Sequence, residues 1–405
     1  MKSSRPWVIL FLVALLASLI TASYNARSAT PSSISTPSAK SGAKGGPALE
    51  LAQTVSAVTG IAISPLLGVS AMGAWQYFKA PADQRSTLSW YAQPWFWLSG
   101  LALVGLVAAK DVLGAATPPG LKKPIDVAEA LENKISGLVA AGALIPMIGS
   151  FLHASGVPQT GLPIHIGGMA FVDGSMLLQI AATPFALAAY AVVWMAAHSI
   201  QVLILLSPLG IIDVILKSMR TALLSALAGI AYIDPWIGAA LSVALILVAY
   251  LIAGWSFRLS ITGWVYCWDF LSFRWARFTP SEKENWAFAS QAIDEVPIRT
   301  YGRLVKNSAG QVEFHYRPWL FLAEKVKTLA SGQLVIGRAL FHPTLEALQG
   351  EDTHRLFNFP PRFQTHEKEL SKAYSIPVQE VGLLGATKAI AHWLSQLFGF
   401  SRSPA

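Results

Sequence analysis

The sequence predicts a mostly α, polytopic helical membrane protein of about six spans with a C-terminal α+β soluble domain. Three observations lead there. Apolar residues make up 53 % of the 405 positions and charged residues only 13 %, about half the charged share of an ordinary soluble domain. The long apolar stretches fall almost entirely within residues 48–257, whereas 273–405 has ordinary soluble composition. The apolar half also carries a faint self-similarity. Ile63-Ser64-Pro65-Leu66 is followed, 29 residues from proline to proline, by Tyr91-Ala92-Gln93-Pro94-Trp95; Leu206-Ser207-Pro208-Leu209 is followed, 27 residues on, by Tyr232-Ile233-Asp234-Pro235-Trp236. A duplicated membrane hairpin is one reading of this pattern, and chance recurrence in an apolar chain is the other.

The elements follow in order. A basic tip (Lys2, Arg5), the apolar run 7–22 and the small residues Ala26-Arg27-Ser28-Ala29 mark 1–26 as a secretory signal peptide or an N-terminal anchor. Residues 27–47, rich in Ser, Thr, Pro, Ala and Gly, are expected to be a disordered linker. A first segment spans 49–77, with a kink at Pro65 of the kind membrane helices tolerate. Trp90, Tyr91, Trp95 and Trp97 crowd the entry to a second segment, 95–109, where aromatic rings suit the headgroup level. Residues 118–134 read as an interfacial helix, with Asp126, Glu129 and Glu132 on one solvated face. A third span covers 135–153. The stretch 164–212 is far too long for one crossing, so it holds two spans or a span and a half-helix. Residues 222–233 are too short to cross, 236–257 is the last clear span, and the aromatic stretch 259–273 belongs at the interface. Arg258, Arg274, Arg277 and Lys283 favour a cytoplasmic C-terminal domain, whereas Lys217 and Arg220 do not fit that side under every span count.

This divides the chain into a membrane domain (48–258), a connector (259–295) and a soluble domain (296–405). In the last, strands are expected over 296–305 and 312–322 about the turn Lys306-Asn307-Ser308-Ala309-Gly310, then over 325–329 and 333–341. A short helix over 365–374 and an amphipathic helix over 383–398 follow. Arg299, Arg303, Lys306, Arg317, Lys325 and Lys327 are the candidates for a basic patch facing anionic lipid.

Sequence motifs for common catalytic chemistry are missing: there is no Gly-rich phosphate loop, His-Glu-x-x-His, Cys-x-x-Cys or Gly-x-Ser-x-Gly. Cys267 is the only cysteine, which excludes an intrachain disulfide and a cysteine metal cluster. The net charge of +8 fits basic loops beside a membrane, since no basic–aromatic interleaving points to nucleic acid. No enzyme activity, cofactor or metal is expected. Polar groups at membrane depth are the functional candidates, because burying them is costly: Asp173, His198, Gln201 and Asp213. His198 and Gln201, three apart, would share a polar stripe, and Asp213 with Lys217 has salt-bridge spacing.

The segment from Gly60 to Gly68 with its Pro65, the Asp111 closing the second span and the later His198…Ser207-Pro208 stretch carry a family resemblance. On these residues the membrane half, 48–257, resembles a bacterial membrane family known as domain of unknown function 4126, without that family's full charged signature around the second Ser-Pro. The resemblance implies a multi-pass bacterial inner-membrane protein and no known activity. The soluble domain is similar in element order to a pleckstrin-homology-like domain. The functional expectation is a non-enzymatic membrane organiser or accessory subunit whose soluble domain binds lipid or a protein partner. The alternative is a transporter or channel for a small solute or proton.

Overall fold

The computed structural model describes residues 47–113, 119–154, 174–207, 210–329, 333–338, 342–349 and 352–380. The expected signal or anchor, nearly all of the linker, Asp173 and the closing helix over 383–398 lie outside the described residues. The chain forms two compact units, one from residues up to Lys123 together with Leu131–Ala253, the other from Pro124–Ala130 and the residues from Gly254 onward.

The helical unit is built from α1 (Pro47–Ile63), α2 (Pro65–Lys79), α3 (Pro94–Leu113), most of α4 (Pro119–Ala154), α5 (Gly174–Leu206), α6 (Gly210–Ile233) and α7 (Pro235–Leu251). α1 packs against α2, α5, α6 and α7, and α2 packs against α3. The core is small-residue rich, with Ala62, Ala140 and Ala143 fully buried beside Leu144 and Met147; small side chains let helices approach closely where lipid offers no hydrophobic drive.

Two helix corners share one geometry. Ser64 and Asp234 leave the helix at φ −138° and −143°, and Pro65 and Pro235 start the next helix, where the missing N–H costs nothing. The amide of each corner residue donates back to Gly60 or Ile230, and the amide of Gly68 or Gly238 donates to the corner carbonyl. A Cβ on Gly68 would meet the Ile61 backbone at 2.7 Å, and one on Gly238 would meet Ala231 Cα at 2.6 Å. Glycine three residues after the proline is therefore required in both. The alikeness joins Ser64-Pro65 to Asp234-Pro235, a different pairing from the one the sequence suggests.

The described residues hold fewer candidate spans than six. Among the described residues three helices are long and apolar enough to cross a membrane: 124–149, 183–206 and 212–233. The count reaches four if α7 and the helix α8 (Ala253–Leu271) form one broken span. One segment expected to span, 49–77, breaks at Pro65 into two short helices, neither of which reaches spanning length. Residues 119–134 are not a separate interfacial helix; they begin the 36-residue α4, with Asp126 and Glu129 buried. The stretch 222–233 is likewise the end of the continuous 24-residue α6.

The second unit holds α8 and one eight-stranded sheet: β1 (Glu284–Ala289), β2 (Tyr301–Lys306), β3 (Val312–Tyr316), β4 (Lys325–Thr328), β5 (Gln333–Arg338), β6 (Thr344–Gln349), β7 (Asp352–Asn358) and β8 (Val378–Glu380), with α9 (Glu367–Tyr374) before β8. The order is β4-β3-β2-β1-β7-β6-β5-β8, antiparallel except for β5 with β8. Leu304, Phe314, Ile336, Leu345 and Phe357 fill the core on one face. The β2–β3 turn forms where the Asn-Gly signal predicts it: Asn307 Oδ1 accepts from the amides of Ala309 and Gln311, and Gly310 sits at φ 80°. β3 ends at Tyr316, short of the expected 322, because Pro318 leads into a turn with Trp319 and Leu320 at φ 57° and 62°. The first strand, β1, lies inside the stretch 259–295 read as a connector.

Candidate functional site

In the helical unit the polar centre is His198, and it is fully buried. α5 presents Tyr190, Trp194 and His198 at four-residue steps, which places them on one face. α4 meets that face with Asn133, Lys134 and Gly137. His198 Nδ1 lies 2.8 Å from Asn133 Oδ1 and Nε2 lies 2.7 Å from Lys134 Nζ. Asn133 Oδ1 accepts and a lysine ammonium only donates, so the ring carries its proton on Nδ1 and accepts at Nε2. Trp194 stacks on the imidazole with centroids 5.4 Å apart, and Tyr190 Oη donates to the Gly137 carbonyl at 2.7 Å. Gly137 makes room for the Trp194 indole, which occupies the place a Cβ would take.

A second group of charges lies in the same unit. Arg220 on α6 donates from Nε to the Ile63 carbonyl at 3.0 Å, and Glu132 on α4 is within electrostatic reach of it. The Pro65 break leaves the last carbonyls of α1 without helical donors, and an arginine is a fitting partner for one of them. Of the predicted candidates, Gln201 is buried on α5 and Asp213 is buried in the first turn of α6, where a carboxylate complements the helix dipole. Sequence reasoning missed Asn133, Lys134 and Arg220. The repeat of Tyr190, Trp194 and His198 was the available signal; their partners on another helix left none.

The six basic residues of the sheet unit do not form one patch. Residues opposed across paired strands share a face. Arg303 opposes Trp286 and His315 on the outer face, whereas Lys327 opposes Phe314, and Lys325 opposes Tyr316, on the core-facing side of the edge strand. Lys306 opposes the buried Val312, also on the core-facing side, and reaches Ser375 Oγ at 2.8 Å. Carboxylates neutralise three of them. Arg303 donates to Glu284 at 2.9 Å and to Glu324 at 2.7 Å, Lys325 lies 3.5 Å from Glu295, and Lys327 pairs with Asp294. The Arg303 hydrogen bond holds the Glu324 carboxyl below the usual carboxylate range. Arg317 is exposed, and Arg299 stands apart in the loop before β2 at φ 61°. Beside Arg303 lies a groove of about 360 Å³ lined by Trp286, Tyr301, His315 and Glu324.

α8 is fastened to the sheet through Asp269, which is fully buried. It accepts from the Arg362 amide and from Arg362 Nη1, each at 3.2 Å, while Arg362 Nη2 donates to Tyr301 Oη at 2.9 Å. Among the described residues no cluster of three or more His, Cys, Asp or Glu side chains could hold a metal ion. No protein family, no curated protein and no solved structure matches the chain.

Proposed function

We propose that this protein is a membrane-embedded organiser or accessory subunit of the bacterial inner membrane, non-enzymatic, whose sheet unit works on the cytoplasmic side against lipid or a protein partner. The observation that carries the reading is α6. Along its apolar stretch, 212–233, only Asp213, Leu216 and Leu227 are buried, and Val214, Ile215, Met219, Tyr232 and Ile233 are all exposed. Such a surface is untenable in water and ordinary in hydrocarbon. The organiser is favoured over a solute path by His198, whose two ring nitrogens are engaged and whose face is covered by Trp194.

Two measurements test this on the full chain. Membranes washed with alkaline carbonate retain the protein, and detergent releases it; protein in the carbonate wash sinks the membrane reading. Gln201→Cys and Ser199→Cys, in a Cys267→Ser background, then stay unlabelled by a membrane-impermeant thiol reagent until denatured. Labelling that can be blocked from one side means a solute path, and the transporter replaces the organiser.

A further inference from the structure

Among the described residues, two neighbouring arginines of the sheet unit have no carboxylate partner. Arg258, in the second turn of α8, donates from Nε to the Ile298 carbonyl at 2.8 Å, which directs its guanidinium to the loop before β2. The next residue of that loop is Arg299. Its backbone is held at φ 61°, a costly conformation for a side-chain-bearing residue, by the hydrogen bond its N–H donates to the Ala289 carbonyl at 2.7 Å. Its guanidinium lies over the Trp255 ring, 5.9 Å from the centroid, and its Nη1 is enclosed with no acceptor among the described residues. Among the described residues no carboxylate pairs with either guanidinium; the nearby acids Asp294 and Glu295 are taken by Lys327 and Lys325. Burial and then the charge of Arg258 lower the Arg299 pKa to about 10, so Arg299 remains cationic at neutral pH.

An enclosed donor on one of two neighbouring cations asks for an anion, and two neighbouring guanidiniums fit the oxygens of a phosphate. The surroundings say which phosphate. Trp319 packs on Phe257 with centroids 4.9 Å apart, and the strained turn holds Trp319, Leu320 and Phe321 outward, the last 77 % exposed. Aromatic residues beside arginines are the composition of a lipid headgroup layer.

We propose that Arg258 and Arg299 bind the phosphate of one phospholipid headgroup, with Trp319, Leu320 and Phe321 seated among the acyl chains beside it. This deepens the membrane reading above and rests on it.

The test uses the full chain in neutral detergent, with bound lipid counted by native mass spectrometry. The probes are dioctanoyl-phosphatidylglycerol, dioctanoylglycerol, which lacks the phosphate, and inorganic phosphate. One equivalent of the phosphatidylglycerol binds saturably and the diacylglycerol does not. Arg299→Asn, chosen because Asn tolerates this backbone, and Arg258→Gln each weaken binding about tenfold or more. Arg303→Gln, which removes the same charge from an already paired position, leaves it unchanged. Equal binding by all variants, or equal loss in Arg303→Gln, overturns the site. Displacement of the lipid by inorganic phosphate overturns the headgroup as its source. A chain that resists carbonate extraction yet binds no phosphatidylglycerol loses this site and keeps the membrane reading.

Discussion

Two residues concentrate what single side chains do here. Gly137 is fixed by its neighbour across the helix interface, since the Trp194 ring fills the space of a Cβ and lies against His198. Gly137→Ala must push the ring aside, at an overpacking cost of about 1–3 kcal/mol. Thermal unfolding of the detergent-solubilised protein falls accordingly, and Trp194→Phe in the same chain restores part of the loss; equal unfolding temperatures for Gly137→Ala and wild type refute the contact. His342 acts through protons. Burial, then the Arg355 charge, lowers its pKa to about 4. A histidine depressed in the fold is protonated first in the unfolded chain, so its contribution is complete above about pH 6.5 and is lost as pH falls toward 4, at up to about 1.4 kcal/mol per pH unit. Denaturation midpoints across that window slope downward with acid in wild type, and His342→Gln flattens the slope. The same slope in both chains rules out His342 as the source.

Elements were legible where a local pattern governs them. The Asn-Gly turn, the strands on either side of it and the helix over 365–374 follow from alternation and turn chemistry. β1 was missed because its alternating residues follow the charged run Glu282-Lys283-Glu284, which reads as a connector. The basic residues show a different failure. Arg303 and Lys306 are three apart on one strand and so point to opposite faces, a consequence of the two-residue period that a list of charges hides. The helix corners yield a prediction of their own. Asp234 accepts from the Trp236 and Ile237 amides at 2.9 and 3.3 Å, whereas the Ser64 side chain makes no such bond. Asp234→Ala therefore costs about 1 kcal/mol and Ser64→Ala close to nothing. Unfolding temperatures that rank the two variants the other way would show that side-chain capping does not hold these corners.

At the scale of the whole chain, composition separated a helical apolar half from a sheet-bearing C-terminal part, and the structure keeps that division. Which apolar segments break and which run on was not legible, because hydropathy sees apolar length while the break at Ser64 and the continuity of α4 and α6 depend on backbone geometry. The partners of His198 were hidden for a related reason: Asn133 and Lys134 lie some 65 positions away and meet it only through packing. The two proline–glycine corners carry a last consequence, and it is kinetic. Each joins residues within one short stretch, Gly60 to Gly68 and Ile230 to Gly238, so closing it costs little chain entropy. Both helix pairs can thus assemble early and alone. The slow event left to the chain is the meeting of α1 with α5 and α7, which lie more than a hundred residues away along the sequence.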